Sequence, residues 1–241
     1  MDSNARVEKF ISDTKSRLSA GKKRLPPGTL PFVTITSQSG AGGNLLARQL
    51  LEKIEQCDSD NPALQGWRIF DKSMCQQVLT REHLETSMND MLDEKYHSQI
   101  AEFVMGIFGD QGMQNIAYVR LSRFLRAVAS FGKVIILGHG GAMSTRGLAG
   151  ANHLRLVAPL PARVARMAPV LNMDEAQTLR EIQQRDRDRQ RLWKTHYQID
   201  SSDPEHYDLV CNTDRISIDT VANFQLSLIL DQIGERHAQP A

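Results

Sequence analysis

Glycines and arginines cluster in two separate stretches of this chain, at 37–44 and 185–191. The first stretch is a run of small residues, Ser37-Gln38-Ser39-Gly40-Ala41-Gly42-Gly43-Asn44. Glycine has no Cβ and tolerates positive φ, so backbone N–H groups in such a run can approach an anion closely. A helix that begins directly after the run adds its unpaired N–H groups and the positive end of its dipole. The run therefore predicts a phosphate-binding loop formed by Ser39, Gly40, Ala41, Gly42, Gly43 and Asn44.

This loop departs from the strict phosphate-loop pattern G-x-x-x-x-G-K-[ST]. Aligned on Gly42, the chain has Ser37 for the first glycine, Gly43 for the lysine and Asn44 for the serine or threonine. The cation that contacts β- and γ-phosphates and the hydroxyl that holds Mg²⁺ are thus missing from their usual positions. On spacing alone, a strand-to-helix turn that binds nothing is an equal alternative.

The second stretch alternates arginine with aspartate on a segment of helical character. Arg185 and Arg189 are four residues apart and therefore share one helix face. Two guanidinium groups on one face could clamp a phosphoryl group during its transfer, a contribution worth about 10³- to 10⁵-fold in rate. The alternative is a solvated helix face with ion pairs.

Strands and helices alternate along the chain, and they must position both stretches. Apolar and β-branched runs predict strands at 31–36, 67–71, 134–137, 154–158 and 207–212. The third run is continuously apolar, which is typical of a strand buried in a parallel sheet. The alternation predicts a doubly wound α/β fold, in which ligands bind beyond the carboxyl ends of the strands. The chemistry is therefore expected at 37–44, 71 and 138–141.

The remaining segments favour helices. Residues 1–30 are predicted to form an N-terminal helix, at 4–20, and a linker, and 31–241 to form one domain. Within that domain a helical insertion is expected at 72–131 and a final helix at 216–235. Asn172 and Glu175 have capping-box spacing, which predicts that the arginine-rich helix begins near Asn172.

Composition and charge narrow the possible partners. The 241 residues are 41% apolar and 24% charged, as expected for one medium α/β domain. The net charge is only +1, so neither a nucleic acid nor a membrane is an expected partner. Cys57, Cys75 and Cys211 are scattered without a CxxC pair, which favours reduced thiols in the cytoplasm. Neither a set of metal ligands nor an oligomeric state is predicted.

Several segments, in order from about 32 to 220, resemble the cytidylate kinase-like family. The loop at 35–44 is similar to that family's glycine loop, and 134–140 is similar to its strand and Gly-Arg turn. Residues 157–164 look like a further family segment, and Asp186 and Arg189 match the D-x-x-R pattern of its lid. The ending at 203–213 is the strongest match.

The resemblance implies a P-loop NTPase-like three-layer sandwich with a parallel five-stranded sheet, a helical insertion and an arginine-rich lid at about 172–200. It implies ATP-dependent phosphoryl transfer to a nucleoside monophosphate, with Mg²⁺ as the metal. The lid match adds Asp186 to Arg185 and Arg189 as the residues expected for catalysis, and Asp71, His139 and Arg163 are expected to contact the acceptor.

Two departures from the family keep a second function open. Asn44 and His139 stand where the family commonly has arginines, so two expected cations are absent. The alternative is therefore a nucleotide-binding or regulatory protein that keeps the kinase fold with little or no turnover. Asp71 could equally cap the next helix, and His139 could equally make a structural hydrogen bond. The Gly140-Gly141 turn resembles an esterase oxyanion segment, but the chain contains no G-x-S-x-G.

Overall fold

A five-stranded parallel sheet forms the centre of the part of the chain that the computed structural model describes, residues 8–9, 11–13, 30–57, 60–75 and 116–238. All neighbouring strands are parallel, in the order β2-β3-β1-β4-β5. The predicted α/β fold with five parallel strands is confirmed. The strands are β1 (Phe32–Ser37), β2 (Arg68–Phe70), β3 (Val134–Leu137), β4 (Ala151–Val157) and β5 (Leu209–Asn212).

Strand β1 lies at the middle of the sheet because both of its faces are apolar and buried. Phe32 joins the core on one face, whereas Val33 and Ile35 join the core on the other. The strand pairs with β3 on one side and with β4 on the other. The direction of winding reverses here, so a crevice opens beyond its carboxyl end. The glycine loop leaves the sheet at this crevice.

Helices cover both faces of the sheet and make three layers. Leu46 and Val221, from the first and last helices, pack in the core on one face. Phe124 and Trp193 pack in the core on the other face. The helices are α1 (Gly43–Glu55), α2 (Ile116–Ser130), α3 (Gly141–Ser144), α4 (Leu160–Leu171), α5 (Glu175–Tyr197) and α6 (Ile218–Ala238). Among the described residues, no helix is both long and apolar enough to cross a membrane.

The arginine-rich helix α5 begins at Glu175, and the predicted start near Asn172 was wrong. Asn172 ends helix α4 in the left-handed conformation, with φ of 52°, which asparagine tolerates. Asp174 is the residue that caps α5, since its carboxylate accepts the N–H of Gln177 at 2.7 Å. The Gln177 side chain accepts the Asp174 N–H in return at 3.2 Å, which completes a capping box.

Strand β4 begins at Ala151, earlier than predicted. The prediction missed its first residues because two buried polar residues interrupt the apolar pattern there. Asn152 donates to Gln232 Oε1 at 2.9 Å, and His153 Nδ1 lies 2.8 Å from Thr34 Oγ1. These bonds satisfy the polar groups within the sheet.

The two predicted helical regions at 4–20 and 72–131 are only partly described. Residues 8–9 and 11–13 are helical, with Ile11 buried in the core and Asp13 paired with Arg68. Residues 72–75 and 116–130 are also helical. The remainder of both predictions lies outside the described residues.

Candidate functional site

The glycine loop turns sharply between β1 and α1. Gly40 and Gly42 have φ of 82° and 94°, in the left-handed region that disfavours other residues. Their surroundings also leave no room for a side chain. A Cβ on Gly40 would lie 2.9 Å from the Arg163 carbonyl oxygen, and one on Gly42 would lie 2.7 Å from Ile218 Cδ1. The loop conformation therefore requires glycine at both positions.

Helix α1 starts with its N-terminus uncapped. Gly42 is the N-cap and offers no side-chain acceptor, and the first turn contains no acidic residue. The first N–H groups of a helix have no partner within the helix and carry the positive end of its dipole. This end of α1 can therefore hold an anion.

Ser37 lies beside Gly43 in the loop. A Cβ on Gly43, at the lysine position of the strict pattern, would lie 2.6 Å from Ser37 Oγ. Ser37 itself occupies the position of the first glycine in that pattern. The two departures are thus neighbours in space, because a Cβ at 43 would meet the Ser37 hydroxyl in its observed rotamer.

Two side chains of α5 reach this loop. The Asp186 carboxylate accepts the Ser39 N–H through Oδ1 at 2.8 Å. The Arg189 guanidinium donates to the Ser37 carbonyl oxygen at 3.0 Å and to Ser39 Oγ at 3.1 Å. The structure therefore brings both members of the D-x-x-R pattern onto the glycine loop, across more than 140 residues of sequence.

Arg185 does not reach the loop. Its Nε donates to Glu181 Oε1 at 2.7 Å on the exposed face of α5. Its charge nevertheless affects Arg189. Burial lowers the pKa of Arg189 most, Arg185 and Arg163 lower it further, and Asp186 opposes them. Arg185 contributes to the positive potential over the loop without touching it.

Arg163 lies beneath the loop, and its contacts are with protein groups. It is only 7% exposed. Its Nε donates to the Ala158 carbonyl oxygen at 2.9 Å, and its Nη1 donates to the Ser39 carbonyl oxygen at 3.1 Å and to Asp186 Oδ2 at 2.6 Å. Arg163 thus connects the end of β4, the loop and α5, and its predicted contact with an acceptor stays a prediction.

Asp71 and His139 follow β2 and β3 at the same edge of the sheet. Asp71 Oδ1 accepts the N–H groups of Ser73 at 3.0 Å and Met74 at 3.1 Å, so it caps the helix that starts at residue 72. The pKa of His139 is lowered to about 4, by burial first, then by Lys72 and Arg189, with Asp71 opposing. His139 is therefore neutral at pH 7, and the charges of Lys72, Arg189 and Asp71 all act on it.

Three residues that hold the loop were not among the predicted site residues. Gln38 Oε1 accepts the Ala158 N–H at 3.0 Å, and Thr213 Oγ1 donates to the Ala41 carbonyl oxygen at 3.0 Å. Arg166 donates to both oxygens of Thr213. Its helical spacing from Arg163 was the available signal, because residues three apart share a helix face.

A surface depression of about 710 Å³ lies elsewhere, along the first half of α5. Its lining includes Gln177, Arg180 and Arg187 and none of the loop residues. Flexible, exposed side chains form it, whereas the loop site is formed by backbone and by groups held in place by hydrogen bonds. The loop is therefore the stronger candidate for the functional site.

A glycine loop at the reversal of strand order, with an arginine-bearing helix over it, defines a P-loop kinase fold. The chain belongs to the cytidylate kinase-like family, whose model matches residues 32–215. The resemblance seen in the sequence is confirmed. Family membership supports a nucleotide kinase-like function.

Comparison with solved structures finds similarity at low sequence identity. An uncharacterized protein from Eubacterium ventriosum is 16% identical with a TM-score of 0.62, over 83% of this chain and 98% of that chain. At this identity the likeness shows the fold alone. Shikimate kinase from Acinetobacter baumannii, in complex with shikimate, is 16% identical with a TM-score of 0.41, over 85% of this chain and 95% of that one. Shikimate kinase from Bacteroides thetaiotaomicron is 14% identical with a TM-score of 0.43, over 83% and 98%. No curated protein shows significant similarity.

Proposed function

We propose that this protein transfers the γ-phosphate of ATP to a nucleoside monophosphate. The observation that carries the proposal is the placement of Arg189 on the glycine loop, where it bonds Ser37 and Ser39. Phosphoryl transfer depends mainly on positioning and on electrostatic stabilisation of the transferring group. An uncapped helix N-terminus facing a guanidinium group supplies both.

Each part of the site has a role in this proposal. The amides of Gly42, Gly43 and Asn44 hold the phosphates of ATP, and Arg189 stabilises the charge of the transferring group. Arg185 adds positive potential from the outer face of α5. Asp71 and His139 face the acceptor at the ends of β2 and β3. His139 is neutral, so it contributes hydrogen bonding there and not charge.

Mg²⁺ fits this site as a cation held mainly by the nucleotide. Within the described residues there is no group of three or more histidine, cysteine, aspartate or glutamate side chains that could hold a metal. Mg²⁺ in kinases needs few protein ligands, because substrate phosphates and water complete its shell. Asn44 stands in the sequence where the strict pattern has the serine or threonine whose hydroxyl holds the metal. When bound, the metal would neutralise phosphate charge.

The test is an assay of ADP release with Mg-ATP and a panel of nucleoside monophosphates. Turnover with one or more monophosphates is expected in the wild type. Arg189→Ala should lower kcat by about 10³-fold, the scale for an arginine that stabilises this transition state. Arg187→Ala is the matched control, because Arg187 lies on the same helix and bonds Gln184 away from the loop. Equal losses in both variants would contradict the role of Arg189.

The second candidate is a nucleotide-binding or regulatory protein without turnover. It is favoured by the absence of the loop lysine at Gly43 and of the family arginines at Asn44 and His139. Thermal stabilisation by nucleotides without ADP release from any monophosphate would establish it and overturn the kinase. Under either candidate we propose a cytoplasmic protein whose partner is a small-molecule nucleotide.

A further inference from the structure

The Asp186 carboxylate occupies a position where three cationic or N–H groups converge. It accepts the Ser39 N–H at 2.8 Å and Arg163 Nη1 at 2.6 Å, and Arg189 Nη1 lies 3.6 Å away. Ser39 and Arg163 are buried, at 5% and 7% exposure. This is the environment of a tightly held anion, and the anion present is a side chain of the protein itself.

A carboxylate and a phosphate oxygen accept the same charge-assisted hydrogen bonds from N–H groups and arginine. One N–H and one guanidinium edge cannot serve both fully at the same time. Arg189 is likewise occupied, since it donates to two oxygen atoms of the loop. Phosphate that reaches the Ser39 N–H or the Arg189 guanidinium must therefore compete with these contacts.

We propose that Asp186 is a positioning residue that latches α5 onto the phosphate loop, and that nucleotide phosphate binds by displacing its carboxylate from the Ser39 N–H. The proposal rests on the function proposed above for the loop. The latch keeps Arg189 over the loop while no phosphate is bound. On displacement, phosphate replaces the carboxylate as the partner of Arg189. The latch therefore replaces one anion, the Asp186 carboxylate, with another, the nucleotide phosphate, at the same hydrogen-bond donors.

The release can stay local because α5 is anchored on both sides of Asp186. Thr178 and Ile182 are buried before it, and Trp193 and Tyr197 are buried after it. The Tyr197 hydroxyl also lies 3.1 Å from Ser144 Oγ in the core. Displacement thus needs only a rotation of the Asp186 side chain away from the Ser39 N–H, with the helix itself in place.

The first experiment measures the latch without any ligand. In Asp186→Asn the Ser39 amide should exchange with solvent about tenfold faster by NMR, the scale of one charge-assisted hydrogen bond. The matched control is Asp188→Asn, which makes the same charge change on the same helix. Asp188 accepts from Gln184 Nε2, at 2.9 Å and exposed to solvent, and its variant should leave Ser39 exchange unchanged. Equal Ser39 exchange in the wild type and Asp186→Asn would overturn the latch and leave the kinase function standing.

The second experiment measures displacement with inorganic tripolyphosphate, which carries no base or sugar. Calorimetry should show about three- to tenfold tighter binding by Asp186→Asn than by the wild type, because a competing carboxylate is removed. Asp188→Asn should bind as the wild type does. Weaker binding by Asp186→Asn would overturn displacement. Absence of binding by all of the proteins would overturn displacement and the proposed kinase function together.

A measurement on the wild type covers the case in which Asp186→Asn does not fold. Tripolyphosphate should shift the Ser39 amide resonance and the Asp186 side-chain ¹³C resonance together. Loop amides that shift while the Asp186 carboxyl resonance stays in place would overturn the proposal.

Discussion

The chain makes two glycine turns at the same edge of the sheet, one after β1 and one after β3, and their surroundings differ. Gly40 and Gly42 turn the first with positive φ, and Gly138 and Gly140 turn the second in the same way. Both turns lead into helices with a glycine N-cap and no side-chain cap. The first of these helices has 13 residues, whereas the second has 4 residues and is buried throughout.

The groups that meet each turn also differ. The loop after β1 is contacted by Asp186 and Arg189, whose side chains are 27% and 52% exposed. The turn after β3 is contacted by the buried Tyr197 ring, which leaves no room for a Cβ on Gly140. Under the proposed latch, these polar and partly exposed partners can be exchanged for a ligand, whereas a buried aromatic ring cannot. On that proposal, glycine content alone does not define a phosphate site, and the displaceable partners do.

The largest effect in this comparison is expected from Gly140→Ala. Its Cβ would lie 2.7 Å from Tyr197 Cζ, at a residue with φ of 71°. We expect a fall in the free energy of unfolding of about 3 kcal/mol, from overpacking and backbone strain combined. Urea denaturation measures it.

Gly138→Ala is the matched control for that change. Gly138 has a φ of 75°, and apart from its chain neighbours none of the described residues comes within 4 Å of its Cβ position, so the variant carries the backbone strain alone. Its cost should be about 1 kcal/mol. If both variants lose the same stability, packing of Tyr197 does not distinguish the second turn from the first.

An intermediate effect is expected when the missing loop lysine is restored. Gly43→Lys alone should lower the free energy of unfolding by about 2 kcal/mol, because its Cβ meets Ser37 Oγ. Adding Ser37→Gly removes the obstacle and should recover about 1 to 2 kcal/mol of that loss, as a coupling between two neighbouring residues.

The double variant also tests how tightly the first turn can bind Mg-ATP. With the lysine accommodated, Mg-ATP should bind about tenfold more tightly than to the wild type, since a charge-assisted contact is gained. Calorimetry on the wild type, both single variants and the double variant forms a complete cycle. Additive stabilities across that cycle would show that the two departures are independent.

The sequence predicted the sheet better than it predicted the partners of the loop. Strand β3 was predicted at its observed bounds, because a buried parallel strand is continuously apolar. Local sequence patterns do not indicate which distant side chain accepts the Ser39 N–H. The acceptor is Asp186, which is 147 residues away in the sequence. Arg163 illustrates the same difficulty, since its direction is set by packing between β4 and α5. The paired departures at Ser37 and Gly43 were visible in the sequence, but only the structure shows that the two residues are neighbours.

The smallest effect is expected from the titration of His139, in the second turn. The pKa of His139 is lowered from 6.5 to about 4, by burial and then by Lys72 and Arg189, with Asp71 opposing. The unfolded state therefore binds more protons between these two pH values. The contribution of His139 to stability is fully present above pH 6.5 and is lost as the pH falls toward 4.

Replacing this imidazole should flatten that pH dependence. His139→Asn keeps a residue that tolerates the observed φ of 55° and removes the titration. Between pH 6.5 and 4 the variant should lose about 1 to 2 kcal/mol less than the wild type, a figure reduced from the full pKa difference to allow for partial exposure. Urea denaturation across this range measures the difference. Parallel curves for the two proteins would mean that His139 is charged or solvated in the folded state, and the second turn would then resemble the first as a place for an anion.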